Sequence, residues 1–423
     1  MYKKTKKNIV RIKFLLAILL STICSQRIVA QEKTLDYFVG QAIQKSPLLF
    51  DYRNQAQSNL IDSLRIHASY LPQVSGMGAG SYAPVINGWG YDNAITNGAN
   101  LSALVGVTQK LVSKQNLQNQ YEAIRLQNQS LSVSGKITEQ ELKKTINSQY
   151  ITAYGLSQQY EFNNEMLGLM KEEETILKQL AEKGIYRQTD YLSFLVTLRQ
   201  QELQIKQIKL QYQNEYASLN YLSGIVDTSF VLLTAPVLES VQTPALESTV
   251  FYQQFVVDSL KLQNSHALID FSYKPKLSLY ADAGYISSLM FQPYKNWGTS
   301  FGVNLSVPIY DGRQKKMQHD KISIAEKTRE QYRDFFTTQH EQQIQQLQQQ
   351  LKSADELIAE ATEQLRYTNA LIEANRKLLR TGDAHIVDYI IAIGNYLSAK
   401  NSITQNTISK LQIINQLNYW NRK

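Results

Sequence analysis

Between Ser300 and Ile309 the apolar side chains Phe301, Val303, Leu305, Val307 and Ile309 alternate with Gly302, Asn304, Ser306 and Pro308. That two-residue period belongs to a strand with one apolar face. Leu277, Leu279, Ala281, Ala283 and Tyr285 alternate in the same way with Ser278, Tyr280, Asp282 and Gly284, and Leu101, Ala103, Val105 and Val107 with Asn100, Ser102 and Thr108. A fourth segment, Gln73 to Tyr82, is glycine-rich and fainter. Gly and Asn separate the strands of each pair, with Trp89 and Tyr91 in one loop and Tyr294 and Trp297 in the other, and mark two hairpin tips.

The helical period flanks each strand pair. Segments around 34–68 and 246–271 read as helices that end before Pro72 and Pro275, where proline stops a helix and starts extended chain. After each hairpin comes a long tract almost free of Gly and Pro, about 114–182 and 313–381. In the second tract Ile344, Leu351, Ile358, Leu365, Ile372 and Leu379 recur every seventh residue, with Leu347, Ala354 and Ala361 in the companion positions. This is a heptad seam that should supercoil left-handed. Its Gln-rich stretch, Gln339 to Gln350, reads as the solvated face of the helix. At 1.5 Å per residue each tract makes a rod on the order of 100 Å. Each rod breaks at a glycine, Gly184 or Gly382, and restarts as a second helix, about 188–223 and 386–421, with Thr189 or Asp190 expected to cap the first restart.

The same order of signals therefore occurs twice. Leu219-Asn220-Tyr221 returns as Leu417-Asn418-Tyr419, Lys183-Gly184 with Asp190-Tyr191 as Thr381-Gly382 with Asp388-Tyr389, and Gly106-Val107 as Gly302-Val303. The first two share an offset of 198 residues and the third has one of 196, the mark of a large tandem repeat. The expected organisation is a leader at 1–30 and a first repeat at 31–232, with its strand hairpin about 72–112 and its helical hairpin about 114–224. A linker at 233–248, carrying Pro236 and Pro244, leads to a second repeat at 249–423, with its strand hairpin about 275–310 and its helical hairpin about 313–421.

Charge changes this picture only at the beginning of the chain. Of the formal net charge of +8, seven positives (Lys3, Lys4, Lys6, Lys7, Arg11, Lys13 and Arg27) lie in the first 30 residues without an acid, leaving about +1 elsewhere. A near-neutral remainder gives no ground for a nucleic-acid partner. The basic start, the apolar run Phe14 to Ile23 and the close at Ala30 read as a secretory signal peptide. The single cysteine, Cys24, lies inside it, and Ile23 is too bulky for a lipidation signal. No later stretch is long and apolar enough for a membrane-spanning helix, so membrane contact would have to be made by strands.

Strands of about ten residues with one apolar and one small or polar face are the signature of an outer-membrane β-barrel; a soluble sheet packed on helices is the other reading of the strands alone. Four strands cannot enclose a lumen, since single-chain barrels need about eight, so other subunits would have to complete it. The doubled order of helix, proline, strand hairpin and long helical hairpin resembles the TolC family of outer-membrane efflux channels, over essentially the whole chain after the leader. The resemblance is carried by Tyr70-Leu71-Pro72 and Tyr273-Lys274-Pro275 before the strands and by Val307-Pro308-Ile309-Tyr310-Asp311-Gly312 after them, the latter supplying the strand-exit residues Pro308, Asp311 and Gly312. Gly184 with Asp190 and Gly382 with Asp388 carry it at the helical turns.

The resemblance implies a mainly α fold with α and β parts: long coiled helical hairpins plus four transmembrane strands per protomer. A homotrimer would close a 12-stranded β-barrel and an α-helical barrel. It also implies an outer-membrane channel of a Gram-negative bacterium extending far into the periplasm. Such a channel conducts passively from a periplasmic adaptor and an inner-membrane pump of RND or ABC type, with outer-membrane lipid around the barrel. The chain departs from the family in places. The first-repeat counterpart of the strand-exit block, Gln109-Lys110-Leu111-Val112-Ser113-Lys114, lacks the proline and the Asp-Gly. Where the family has an arginine two residues after the tip glycine and a second aspartate one turn beyond the first, this chain has Ala384 and Ile391, so a tight gate would be built differently.

Asp388 is the leading candidate for that gate, and Asp190 its repeat partner. Three carboxylates around a threefold axis would form a cation-favouring ring; as single residues both acids also suit the first turn of a helix. Gly184, Gly382, Lys183 and Arg380 make the tip turns and a possible adaptor contact, with Lys183 and Arg380 placed to pair with the two aspartates. Tyr191 and Tyr389 read as tip packing.

No enzyme chemistry is legible. His67, His266, His319, His340 and His385 show no metal spacing beyond His385 and Asp388, which read as a surface pair. Gly76, Gly78 and Gly80 lie at two-residue spacing in a strand and form no phosphate loop, so no cofactor or energy source is expected. The competing function is a structural or adhesive coiled-coil rod anchored in the outer membrane without transport.

Overall fold

A computed structural model describes residues 33–423 apart from Asn97, Thr228, Gln242, Thr243, Met290, Phe291 and Lys423. The expected leader lies outside the described residues. Seven long helices and four strands follow in the order α1 (Leu35–Lys45), α2 (Pro47–Ser69), β1 (Gln73–Tyr82), β2 (Ala99–Leu111), α3 (Lys114–Glu182), α4 (Gln188–Leu222), α5 (Val250–Ser272), β3 (Lys276–Ser287), β4 (Trp297–Ser306), α6 (Gln314–Thr381) and α7 (Ile386–Trp420). This is the mainly α architecture with a small sheet that the periodicities predict.

The first helical segment differs from its expectation. It breaks at Ser46, whose hydroxyl accepts the Leu49 N–H, and Pro47 opens α2 at a helix-starting position. Trp297, expected in a hairpin loop, is instead the first residue of β4.

The sheet is antiparallel throughout, in the order β1-β2-β3-β4, so β1 and β4 each have one neighbour and an open edge. Its register sorts most side chains between two faces, although Met77 opposite Leu104 and Ile286 opposite Ser102 fall among the polar residues and Gln109 opposite Leu279 among the apolar ones. Val74 pairs with Val107, Val105 with Ala283, Leu277 with Leu305, Leu279 with Val303, and Ala281 with Phe301, all on one face. The other face carries Lys110 opposite Ser278, Thr108 opposite Tyr280, Ser278 opposite Asn304, and Asp282 opposite Ser300. Because pairing partners share a face and successive residues do not, this division follows from the alternation in the sequence.

Glycine permits close approach within this sheet. A Cβ at Gly302 would lie 2.5 Å from the Tyr280 hydroxyl, so the Tyr280 ring can cross β4 only there. In the β1–β2 loop, Asn87 (φ 53°) and Gly88 (φ 80°) both adopt positive φ between the bridged Ile86 and Trp89, as a tight hairpin turn requires.

α3 and α6 contain 69 and 68 residues, rods on the order of 100 Å, with α4 and α7 folded back along them. Along α6 the buried residues Ile344, Leu347, Ala354, Ala361, Ile372 and Leu379 trace the heptad seam, and His340 and Thr368 extend its companion row. The doubled Leu-Asn-Tyr acquires a physical reason at the far ends of α4 and α7. Asn220 donates to the Asp227 carbonyl (3.0 Å), while Asn418 donates to the Glu239 carbonyl (2.8 Å) and accepts the Val241 N–H (2.9 Å). Each asparagine thus ties an irregular segment to its helix. Phe251, Phe336, Tyr419 and Trp420 pack with ring centroids 5.1–6.3 Å apart and join α5, α6 and α7.

Candidate functional site: a polar sheet face and a coiled tip

The two regions that could meet cargo lie at opposite ends of the long helices. At the strand end, Asp282 on the polar face accepts a hydrogen bond from the Ser300 hydroxyl (2.6 Å). The apolar face is unpacked: Phe301 is 88% exposed and Val303 63% exposed, values that a folded chain in water rarely gives a contiguous apolar surface. Tyr82 and Trp297 lie at the loop end of that same face.

The strand-exit residues start α6. The Asp311 carboxylate accepts the Lys315 N–H (2.6 Å), which holds its pKa below the usual carboxylate range, and Gly312 (φ 67°) and Arg313 (φ 67°) reverse the chain. Pro308 lies two residues beyond β4, where no ladder hydrogen bond needs its missing N–H. In the first repeat Ser113 replaces Asp311, its hydroxyl accepting the Asn116 N–H (3.2 Å) to cap α3.

The two tip turns close in the same way. Gly184 (φ 77°) and Gly382 (φ 83°) are left-handed, Ile185 N–H donates to the Leu180 carbonyl (3.0 Å), and Asp383 N–H donates to the Leu378 carbonyl (2.9 Å). Both are helix ends in which the residue after glycine satisfies an otherwise orphaned carbonyl. The restarts differ from expectation. Arg187 and His385 occupy the N-cap positions without a side-chain cap, so Thr189 and Asp190 lie inside the first turn of α4, and Asp388 inside that of α7. There the carboxylates favour the helix dipole. Asp388 is exposed and Asp190 half-buried. Ile391, one turn on, is exposed.

Arg380 pairs with Glu173, not with Asp388, and no ion pair of Lys183 is found among the described residues. Glu173 is fully buried on α3. Its Oε1 accepts from Arg376 Nε (2.5 Å) and Arg380 Nη2 (2.7 Å) of α6, and Arg376 also reaches Glu172 (2.8 Å). The Glu173 hydrogen bond raises the Arg376 pKa. Tyr191 and Tyr389 are buried as tip packing, and Tyr389 lies face to face with Phe194 at 6.3 Å between centroids. Burial pushes its hydroxyl up to about 12. Tyr186, not singled out from the sequence, is the residue that joins the two tips. Its buried hydroxyl lies 2.9 Å from the Leu379 carbonyl and 3.0 Å from the Ala384 carbonyl. The signal available was an aromatic residue two positions past the tip glycine, opposite a small residue in the second repeat.

This fold, long paired helical hairpins beneath a small antiparallel sheet, is that of the TolC-family outer-membrane channels. The chain is similar to the solved structure of CusC with a TM-score of 0.74 and 13% identity, over 93% of each chain. It is similar to the outer-membrane protein VceC of Vibrio cholerae with a TM-score of 0.71 and 11% identity, over 91% of this chain and 95% of that one. The CmeC outer-membrane channel of Campylobacter jejuni gives 0.71 and 14% identity, over 92% and 85%. No family model matches the sequence, and no curated protein matches it. Identities this low carry the fold. Among the described residues no helix is long and apolar enough to cross a membrane, and no cluster of three or more His, Cys, Asp or Glu side chains could hold a metal.

Proposed function

We propose that this chain is one protomer of a homotrimeric outer-membrane channel-tunnel. It passively conducts substrates delivered by a periplasmic adaptor and an inner-membrane pump, of RND or ABC type, to the exterior of a Gram-negative cell. The observation that carries the reading is the division of the sheet into a contiguous apolar face and a polar face between two open edges. An apolar outer surface suits lipid, a polar inner surface suits a water-filled lumen, and open edges call for strands from other copies. Three copies bring 12 strands, enough to close a barrel, whereas the four of one chain are not.

The helices support the same assembly. On α4, Val196 (67% exposed), Leu203 (57%) and Leu210 (59%) form an outward row at seven-residue spacing, left unpaired by the chain's own seams. A second copy of the coil is the natural partner of such a row. At the tips, three Asp388 carboxylates would form the cation-favouring ring of a gate, backed by Asp190. The Tyr186 and Glu173 links would hold each protomer's two hairpins together in place of the family residues absent at Ala384 and Ile391.

The test is the current carried by purified trimers in a planar bilayer, with divalent cations titrated from the tip side. The reading expects discrete openings that divalents block, with the block weakened at least tenfold by Asp388→Ala. Trimers of verified size that never conduct would overturn the channel; a block unchanged by the substitution would remove Asp388 from the gate.

A further inference from the structure

Where the sheet meets the helices, a cavity of about 590 Å³ opens beneath the polar face. Its floor is Phe271 and Leu268 of α5 with Pro275, and its rim is Lys110 at the end of β2, Lys274, and Lys276 at the start of β3. No carboxylate lines it. Among the described residues these three lysines form no ion pair, and the nearby acids are already engaged. Asp311 is held by the Lys315 N–H, Asp270 by the Lys315 ammonium (2.9 Å), and Asp282, two positions further up β3 than Tyr280, by Ser300. One lysine is oriented: the Lys274 ammonium lies 3.9 Å from the centroid of the Phe271 ring. Lys110 and Lys276 are on the polar face by register, since Lys110 lies opposite Ser278 and Lys276 opposite Ser306.

We propose that this cavity is a docking site for organic anions with an apolar body, through which cargo passes between the helical tunnel and the barrel. The cavity combines the two requirements of such a ligand. The floor removes apolar surface from water, and the ammonium groups compensate the anionic head within a concave, low-dielectric wall where field lines concentrate. Its place in the conduit follows from its lining on the polar face, which is Lys110 of β2, Lys276 and Ser278 of β3, and Asn304 and Ser306 of β4. In a trimer each copy contributes three lysines at one level, a cationic collar at the inner mouth of the barrel. This inference rests on the channel reading for its place along the conduit, and on the cavity alone for its chemistry.

The experiment uses the full trimeric protein and the triple variant Lys110→Gln, Lys274→Gln, Lys276→Gln, with 2-naphthoate as the probe and the uncharged 2-naphthamide as its control. Equilibrium dialysis against detergent-solubilised protein should give naphthoate binding that the variant weakens at least tenfold, with little naphthamide binding to either. In a bilayer under a salt gradient, the variant should keep its unit current while its reversal potential shifts towards cation preference. Equal binding of naphthoate by both proteins, or of naphthamide and naphthoate by the wild type, overturns the site. Loss of current with retained, lysine-dependent naphthoate binding would count against the channel and leave the site standing.

Discussion

The Tyr186 hydroxyl lies 3.0 Å from the carbonyl oxygen of Ala384, its counterpart position in the second repeat, and 2.9 Å from that of Leu379. One hydrogen thus serves two carbonyls at the point where the hairpins end, and the ring that carries it is buried. Tyr186→Phe keeps the packing and removes the link. A net loss of about 1 kcal/mol is expected, larger if the carbonyls stay dry. Hydrogen exchange of the turn amides around Gly184 and Gly382 should quicken about fivefold while the α6 seam is unchanged. Unchanged exchange at both turns would show that the link carries no stability.

Glu173 binds the two hairpins together a few turns away, through Arg376 and Arg380. Removing one partner of a buried pair leaves the others uncompensated, at about 3–5 kcal/mol when all are buried. Both arginines are partly exposed and can re-solvate, so Glu173→Ala is expected to cost about 2 kcal/mol, and Glu173→Gln less. Denaturant midpoints of the three proteins test the order wild type, Gln, Ala. An alanine variant as stable as wild type would contradict it.

Much of this architecture is legible in the residues themselves. The alternation through Phe301, Val303 and Leu305 defines a face before any register is known, and the seven-residue spacing from Ile344 to Leu379 defines a seam, because both are local periods. The break at Ser46 is equally local, since Ser46-Pro47 is a helix-capping residue followed by a first-position proline. The tip is less legible. Arg380 and Glu173 are 207 residues apart, and nothing local distinguishes Glu173 from the surrounding acids Glu172 and Glu174. Tyr186 and the three lysines of the cavity likewise become a site only when distant segments fold together.

The exposed row on α4 makes a prediction about assembly. Val196→Glu combined with Leu203→Glu places charge where a second coil would pack, and should yield monomers by light scattering with helix content retained. Trimers that persist would place the interface elsewhere.

The pair of Lys33 and Asp227 is one source of acid sensitivity. The hydrogen bond from Lys33 holds the Asp227 carboxyl down to about 2. A depressed folded-state pKa means that the stabilisation is complete above the ordinary carboxylate value near 4 and is lost as pH falls through about 2. Lys33→Met should lower stability at neutral pH and flatten its decline between about pH 4 and 2. Parallel stability curves for the two proteins across that interval would show that the pair contributes nothing to it.

Which face of the sheet meets water decides whether these strands line a conduit, and neighbouring residues on β4 report it. The sequence has a single cysteine, Cys24, so Asn304→Cys and Val303→Cys can each be introduced and labelled with a bulky, charged thiol reagent while single-channel current is recorded. A conduit lined by the polar face predicts a stepwise loss of current for Asn304→Cys and no change for Val303→Cys. Block through Val303→Cys with Asn304→Cys unaffected would contradict it.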